Sequence, residues 1–228
     1  MGRAAYRVKA RATFGSSAEY WERRYGDGGT SGSGSYGPQA DWKASVVNGL
    51  ISELGITSAV ELGCGDGNQL SYCDWPRYLG LDVSATAVRR CAAAFAADPT
   101  KSFARYDPDA FADTAGWFSA DAAVSLEVIF HLVEEEVLRT YLRTLFALGR
   151  RYVVVCSTDR EDVPAANAHE RHRRWTPMLA ELAPGWREVR RADPPAGLDL
   201  AAGFLVFARE GAAEDLAAAE PGGGSPTG

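Results

Sequence analysis

Residues 57–68 read Thr57-Ser58-Ala59-Val60-Glu61-Leu62-Gly63-Cys64-Gly65-Asp66-Gly67-Asn68, a short β-rich run that stops in alternating glycines. Glycine lets the backbone turn tightly and lets a ligand approach with no Cβ in the way. In a doubly wound sheet, ligands sit beyond the carboxyl ends of the strands, where such loops occur. The spacing predicts a polar-start helix opening near Asn68, with free amide groups facing the crevice.

Working outward, further β-rich runs occur at Tyr78–Val83, Ser102–Tyr106, Asp121–Leu126 and Arg151–Ser157. Ser84 is an N-cap for a helix running through Ala96. Between the fourth and fifth runs, Glu134–Leu148 repeats Val137, Leu138, Tyr141, Leu142 and Leu145 at helical spacing. Strands separated by helices of this length imply right-handed crossovers and a parallel sheet. The end differs: Trp186–Arg190 and Gly203–Arg209 (GFLVFAR) have no convincing helix between them, which predicts an antiparallel hairpin. The fold class is α/β, doubly wound and mostly parallel.

Asp82 closes the second run 17 residues after Gly65, near the spacing of roughly 20 at which an acid takes ribose hydroxyls. A dinucleotide loop needs a glycine three residues after its second, to pack helix on strand beneath a pyrophosphate. Here the third glycine, Gly67, comes two after, and Asn68 fills the expected position. Glu61 would repel a pyrophosphate but could hold an ammonium, so the pattern favours a sulfonium cofactor with a methionine part over NAD.

VELGCGDGNQL (60–70) followed by YLGLDVSATAV (78–88) resembles the first two motifs of the class I S-adenosylmethionine-dependent methyltransferases, and the order of elements is similar across roughly residues 19–209. The resemblance implies a seven-stranded sheet with an antiparallel final strand and helices on both faces. It also implies S-adenosylmethionine as cofactor, with Glu61, Gly63 and Gly65 by the methionine part and Asp82 on the ribose. Asp107 resembles the residue that meets the adenine amino group, with Asp109 as the alternative. Cys64, Val83 and Leu126 complete the expected cofactor set.

Upstream, Tyr20-Trp21-Glu22 and Tyr25 precede a glycine–serine stretch from Gly26 to Gly37, then a helix containing Trp42 and Lys43. This is similar to the opening of one methyltransferase subgroup found beside biosynthetic genes. Two readings stand. Trp21 and Tyr36 belong to a lid over the cofactor, with Tyr25 on the acceptor side, closing to exclude water; or the stretch is a flexible tether for a docking helix.

The chain has only three histidines, His131, His169 and His172. His131 follows the fourth strand at the cofactor crevice, with Glu127 in the same loop. The run HERHRRW (169–175) is expected on a helix that puts His169 and His172 on one face. Histidine suits general-base work at neutral pH, so all three are candidate catalytic residues. Arg171 and Arg173 sit in a dense positive cluster, which suggests a carboxylate, phosphate or sugar-linked acidic acceptor. A metal site built from these histidines and Glu127 is the lesser reading: no tight ligand spacing such as HExxH occurs, and no metal is expected.

Bulk properties agree. The 228 residues carry 24 Lys and Arg against 30 Asp and Glu, a net charge of -6, the opposite of a phosphate-backbone binder. Long nucleic acid is therefore not expected as substrate. The four cysteines show no paired spacing, and neither a signal sequence nor an apolar run of roughly 20 residues is present, so a cytoplasmic protein without membrane contact is expected. The expected organisation is a loose start over 1–18, a lid and helix over 19–56, a core over 57–209 and a disordered tail over 210–228. The functional expectation is methyl transfer to a small molecule, on oxygen or nitrogen. The rivals are a protein or RNA methyltransferase, a non-catalytic cofactor-binding protein, and an NAD-linked oxidoreductase. The sequence is silent on oligomeric state.

Overall fold

The structure, a computed structural model, describes residues 15–212. Most of the expected loose start and tail therefore lies outside the described residues. Seven strands make one sheet: β1 (Ala59–Leu62), β2 (Tyr78–Asp82), β3 (Lys101–Arg105), β4 (Ala120–Leu126), β5 (Gly149–Ser157), β6 (Trp186–Ala192) and β7 (Gly203–Arg209). Their order is β3-β2-β1-β4-β5-β7-β6. The first five pair in parallel, and β7 runs antiparallel to both β5 and β6. Strand order reverses between β1 and β4, which opens a crevice at their carboxyl ends.

Side-chain alternation along the strands sorts the core into two layers. Tyr152, Val154 and Cys156 of β5 face one layer, packed with Ala44, Val47 and Leu50 of α2 (Gly37–Glu53) and Cys91 of α3 (Ala85–Ala94). Val153 and Val155 face the other, against α4 (Glu135–Leu148). In α4, Leu138, Tyr141, Leu142, Leu145 and Phe146 recur at three- and four-residue intervals and are all buried, the stripe a surface helix needs. Glu135 and Glu136 in its first turn suit the positive end of the helix dipole. The Ser84 side chain accepts from Ala87 N, as an N-cap should. A further helix, α1 (Ser17–Gly26), precedes the sheet, and α5 (Leu179–Leu182) is a single turn.

Two expected helices do not form. After the glycine loop there is only a 3-10 turn, Gln69–Tyr72. The chain must return to β2 at Tyr78, with Pro76 just before it; Leu70, Cys73 and Trp75 are buried in the layer against α2 instead. The run 169–175 is also irregular rather than helical. Its geometry is set by distant partners: Trp175 is fully buried, with its backbone N–H on Asp159 and its indole N–H on the Thr158 carbonyl. Among the described residues, no helix is long and apolar enough to cross a membrane.

Candidate active site

The glycine loop forms the floor of the crevice. Asp82 accepts from Gly65 N at 2.9 Å and from Ser84 N at 2.8 Å. It is nonetheless pushed up to about 6, because burial outweighs those two bonds. Glu61 accepts from the Tyr78 hydroxyl at 2.5 Å. Burial pushes Glu61 up to about 7, against the Tyr78 bond and the Lys43 charge. The loop amides are not free as the expected helix would leave them: Asp66 N donates to Ser31 Oγ and Asn68 N to Asp66 Oδ1. Gly65 has φ +60°, and a Cβ there would lie 2.4 Å from Ser31 Oγ and 3.0 Å from Tyr25 Oη. The Cys64 thiol is pushed well up by its contact with Cys91 and by burial.

The segment before the core lies over this loop. Asp66 accepts from Ser31 N at 2.8 Å and from the Tyr36 hydroxyl at 2.9 Å, and Asn68 Nδ2 donates to Ser35 O at 2.6 Å. From α1, Glu22 takes hydrogen bonds from Ser84 Oγ, Thr86 Oγ1 and Thr86 N. The Ser84 and Thr86 hydroxyls hold its carboxyl down to about 2. Arg90 of α3 donates to the carbonyls of Tyr25 and Gly29. At the other end, Ser17 bonds to the Glu134 carboxylate and to the His131 carbonyl. The segment is thus tied to both banks of the crevice, and its glycines permit close approach. Gly34 is one case, because a Cβ there would lie 2.2 Å from Glu127 Oε2.

Beneath it is a cavity of about 350 Å³, within the usual range for small-molecule sites. Its lining includes Trp21, Tyr25, Glu61, Gly63, Cys64, Gly65, Asp82, Val83, Leu126, Glu127 and His131 from the expected set. Tyr36 stands outside the lining, on Asp66. Asp107 is also outside, accepting from Asp109 N, while Asp109 itself lines the cavity. Residues the sequence reading missed are Ser17, Leu132, Glu134, Val137 and Tyr141. Ser17 comes from α1, Leu132 and Glu134 from the turn before α4, and Val137 and Tyr141 from α4 itself, and no local motif marks them.

The histidines part company. His131 lines the cavity, and burial pulls it down to about 4, so it is neutral at pH 7. Its Nδ1 contacts the His169 carbonyl at 3.2 Å; a carbonyl only accepts, so Nδ1 carries the hydrogen and Nε2 the lone pair. His169 lies behind it, ring centroids 5.3 Å apart, and burial lowers it also. His172 contacts Thr158 Oγ1 at 2.8 Å, outside the lining. Arg171 Nη1 donates to the Val133 carbonyl, and buried Arg173 donates to those of Leu132 and Val133. Both arginines brace the backbone behind His131 and neither lines the cavity. Among the described residues no lysine or arginine does.

Residues 60–151 match the family model described as a methyltransferase domain. No curated protein matches the sequence significantly. Among solved structures, N-methyltransferase NodS from Bradyrhizobium japonicum WM9, in complex with S-adenosyl-l-homocysteine, matches at TM-score 0.61 and 16% identity, over 86% of this chain and 99% of that one. Magnesium protoporphyrin IX methyltransferase (ChlM) from Synechocystis PCC 6803, with the same product bound, matches at 0.58 and 17%, over 89% and 99%. The methyltransferase domain of bacterial CtHen1 matches at 0.54 and 20%, over 73% and 97%. Residues 60–151 thus match a methyltransferase domain, and the sheet order is that of the class I methyltransferase fold.

Proposed function

We propose that the protein transfers a methyl group from S-adenosylmethionine to a hydroxyl or amino group of a small molecule held beneath α1. The observation that carries this reading is one cavity lined both by the Gly63–Gly65 loop with Glu61 and Asp82 and by the neutral imidazole of His131. In this reading Glu61 takes the methionine ammonium, the loop from Gly63 to Gly65 the methionine chain, and Asp82 with Val83 the ribose. Asp109 replaces Asp107 beside the adenine, since it lines the cavity, and Leu126 packs beneath the cofactor. Trp21 and Tyr25 cover it, with Tyr36 acting through Asp66. Glu127, held by Lys43, shapes the wall between cofactor and acceptor.

The acceptor oxygen or nitrogen attacks the methyl carbon. The C–S bond breaks, its electron pair stays on sulfur, and the acceptor's proton goes to His131 or onward to solvent. Holding the reactants in line can supply roughly 7–11 kcal/mol of the barrier. His169 and His172 act behind His131 in this reading. Arg171 and Arg173 position it rather than bind an acidic acceptor, since Arg171 Nη1 and Arg173 Nη2 go to backbone carbonyls and neither residue lines the cavity. A neutral or cationic acceptor suits the carboxylates Glu134 and Glu136 at that end.

The test is transfer of labelled methyl from S-adenosylmethionine to an extract separated into small molecules, protein and RNA. Label is expected in the small-molecule fraction with wild type and reduced at least tenfold with His131→Ala. Label only in protein or RNA overturns the acceptor class, and calorimetry showing no cofactor uptake overturns the whole reading.

A further inference from the structure

Behind the cavity wall, His131, His169 and Glu170 each offer one ligand atom, and these atoms all lie within 4.8 Å of one another. The group is assembled only by folding, since His131 follows β4 and the other two lie in the irregular run after β5. We propose that these three side chains form a two-histidine, one-carboxylate site for a divalent first-row transition ion at the acceptor end of the cavity. The inference rests on the methyl-transfer reading for its role, but not for its existence.

The donor set fits such an ion. Two imidazoles and a carboxylate with open positions are a common ligand set for first-row metals. Ligands must bind deprotonated. His131 donates through Nδ1 to the His169 carbonyl, the outer contact that usually fixes a metal-binding imidazole. Glu170 is anchored by Ala166 N at 2.8 Å and Asn167 Nδ2 at 2.8 Å, and its Oε1 stands 3.8 Å from His169 Nε2. Donors around one ion at about 2.1 Å sit roughly 3.4 Å apart, so closing onto a metal needs side-chain movement of about an ångström. All three residues are partly exposed, so an ion can reach them.

Two neighbours bear on the site. Tyr20 stacks on His169 at 4.1 Å, and its hydroxyl is 3.3 Å from His169 Nε2; the hydroxyl has to turn aside or join the ion's outer shell. Arg24 donates to that same hydroxyl and to the Thr30 carbonyl. Its charge opposes a second cation, which makes the Glu170 carboxylate indispensable. An ion here would take the His131 lone pair, so that in the loaded protein the acceptor's proton goes onward to solvent, the second of the two routes above.

The experiment uses the full chain, stripped with chelator and titrated with cobalt(II) chloride and zinc chloride by calorimetry, with the cobalt(II) visible spectrum recorded. One equivalent is expected to bind, with ligand-field bands of nitrogen–oxygen coordination. His131→Ala, His169→Ala and Glu170→Gln should each weaken binding at least tenfold while circular dichroism stays unchanged. The proposal is overturned if wild type takes up no stoichiometric ion, or if the spectrum and affinity persist in all three variants. Should a variant fail to fold, the wild-type spectrum decides, since absence of imidazole ligation sinks the site. S-adenosylmethionine affinity is measured alongside. Cofactor uptake without ion uptake removes the metal and leaves the methyltransferase reading intact; ion uptake without cofactor uptake does the reverse.

Discussion

Lys43, wholly buried on α2, gives its ammonium to the carboxylate of Glu127, and Glu127 is the one non-glycine residue among those described with a left-handed backbone, at φ 59°. The pair joins the helix before the sheet to the end of β4. Glu127 N is fixed as well, donating to the Cys156 carbonyl at 2.7 Å. A wall residue of the cavity is thus held in an unfavourable conformation by a charge that has no other ion-pair partner among the described residues.

Removing one member of this pair leaves the other charge buried and uncompensated. Lys43→Met and Glu127→Gln should each lower stability by ~3–5 kcal/mol. The double variant should recover a large part of that loss, a non-additivity read from urea denaturation. Additive losses would mean the two charges do not depend on each other.

Gly34 presses directly on the same carboxylate. A methyl group there would meet Glu127 Oε2 at 2.2 Å, and Lys43 prevents that oxygen from swinging away. Gly34→Ala should therefore lift the loop from the cavity and weaken cofactor binding by roughly tenfold, about 1.4 kcal/mol. Global stability should change little. Calorimetric affinity equal to wild type would show that the loop yields at no cost.

Cofactor affinity should depend on pH through Glu61. Burial pushes this carboxyl up to about 7, yet holding an ammonium requires it ionised. Affinity should thus rise as pH climbs from 6 to 8, with protons released on binding, and fall by up to about tenfold per unit below 6. Asp82, at about 6, adds to the lower part of the rise. For the unliganded protein the sign reverses. The folded state keeps the Glu61 proton that the unfolded chain loses between 4.5 and about 7, so this group's contribution to stability falls across that window. Glu61→Gln should flatten the affinity profile, and calorimetry in buffers of different ionisation enthalpy checks the proton count.

Glu22 ties α1 to the start of α3 through Ser84 and Thr86. Glu22→Gln should speed cofactor release several-fold, because it weakens the tie between α1 and the start of α3. Stopped-flow fluorescence of Trp21 follows the release. An unchanged rate would leave α1 as a fixed roof.

The sequence by itself determined the strand pattern, the hairpin at the end and the floor of the cavity. Glu61, Gly63, Gly65 and Asp82 are legible because strand alternation and glycine loops are local signals, set by a few neighbouring residues. Only the tertiary structure decided the rest. It replaced the helix after Gly67 with a short turn, because buried Leu70, Cys73 and Trp75 fill that layer instead. It also drew His169 out of a helix to lie against His131, and turned Arg171 and Arg173 onto backbone carbonyls. Residues 38 positions apart along the chain meet there, and nothing in the local spacing of either segment encodes the other. Hydrogen bonds and burial between distant segments outweigh helix propensities worth a few tenths of a kcal/mol per residue, roughly. The roof and acceptor end of the site are therefore properties of the assembled molecule.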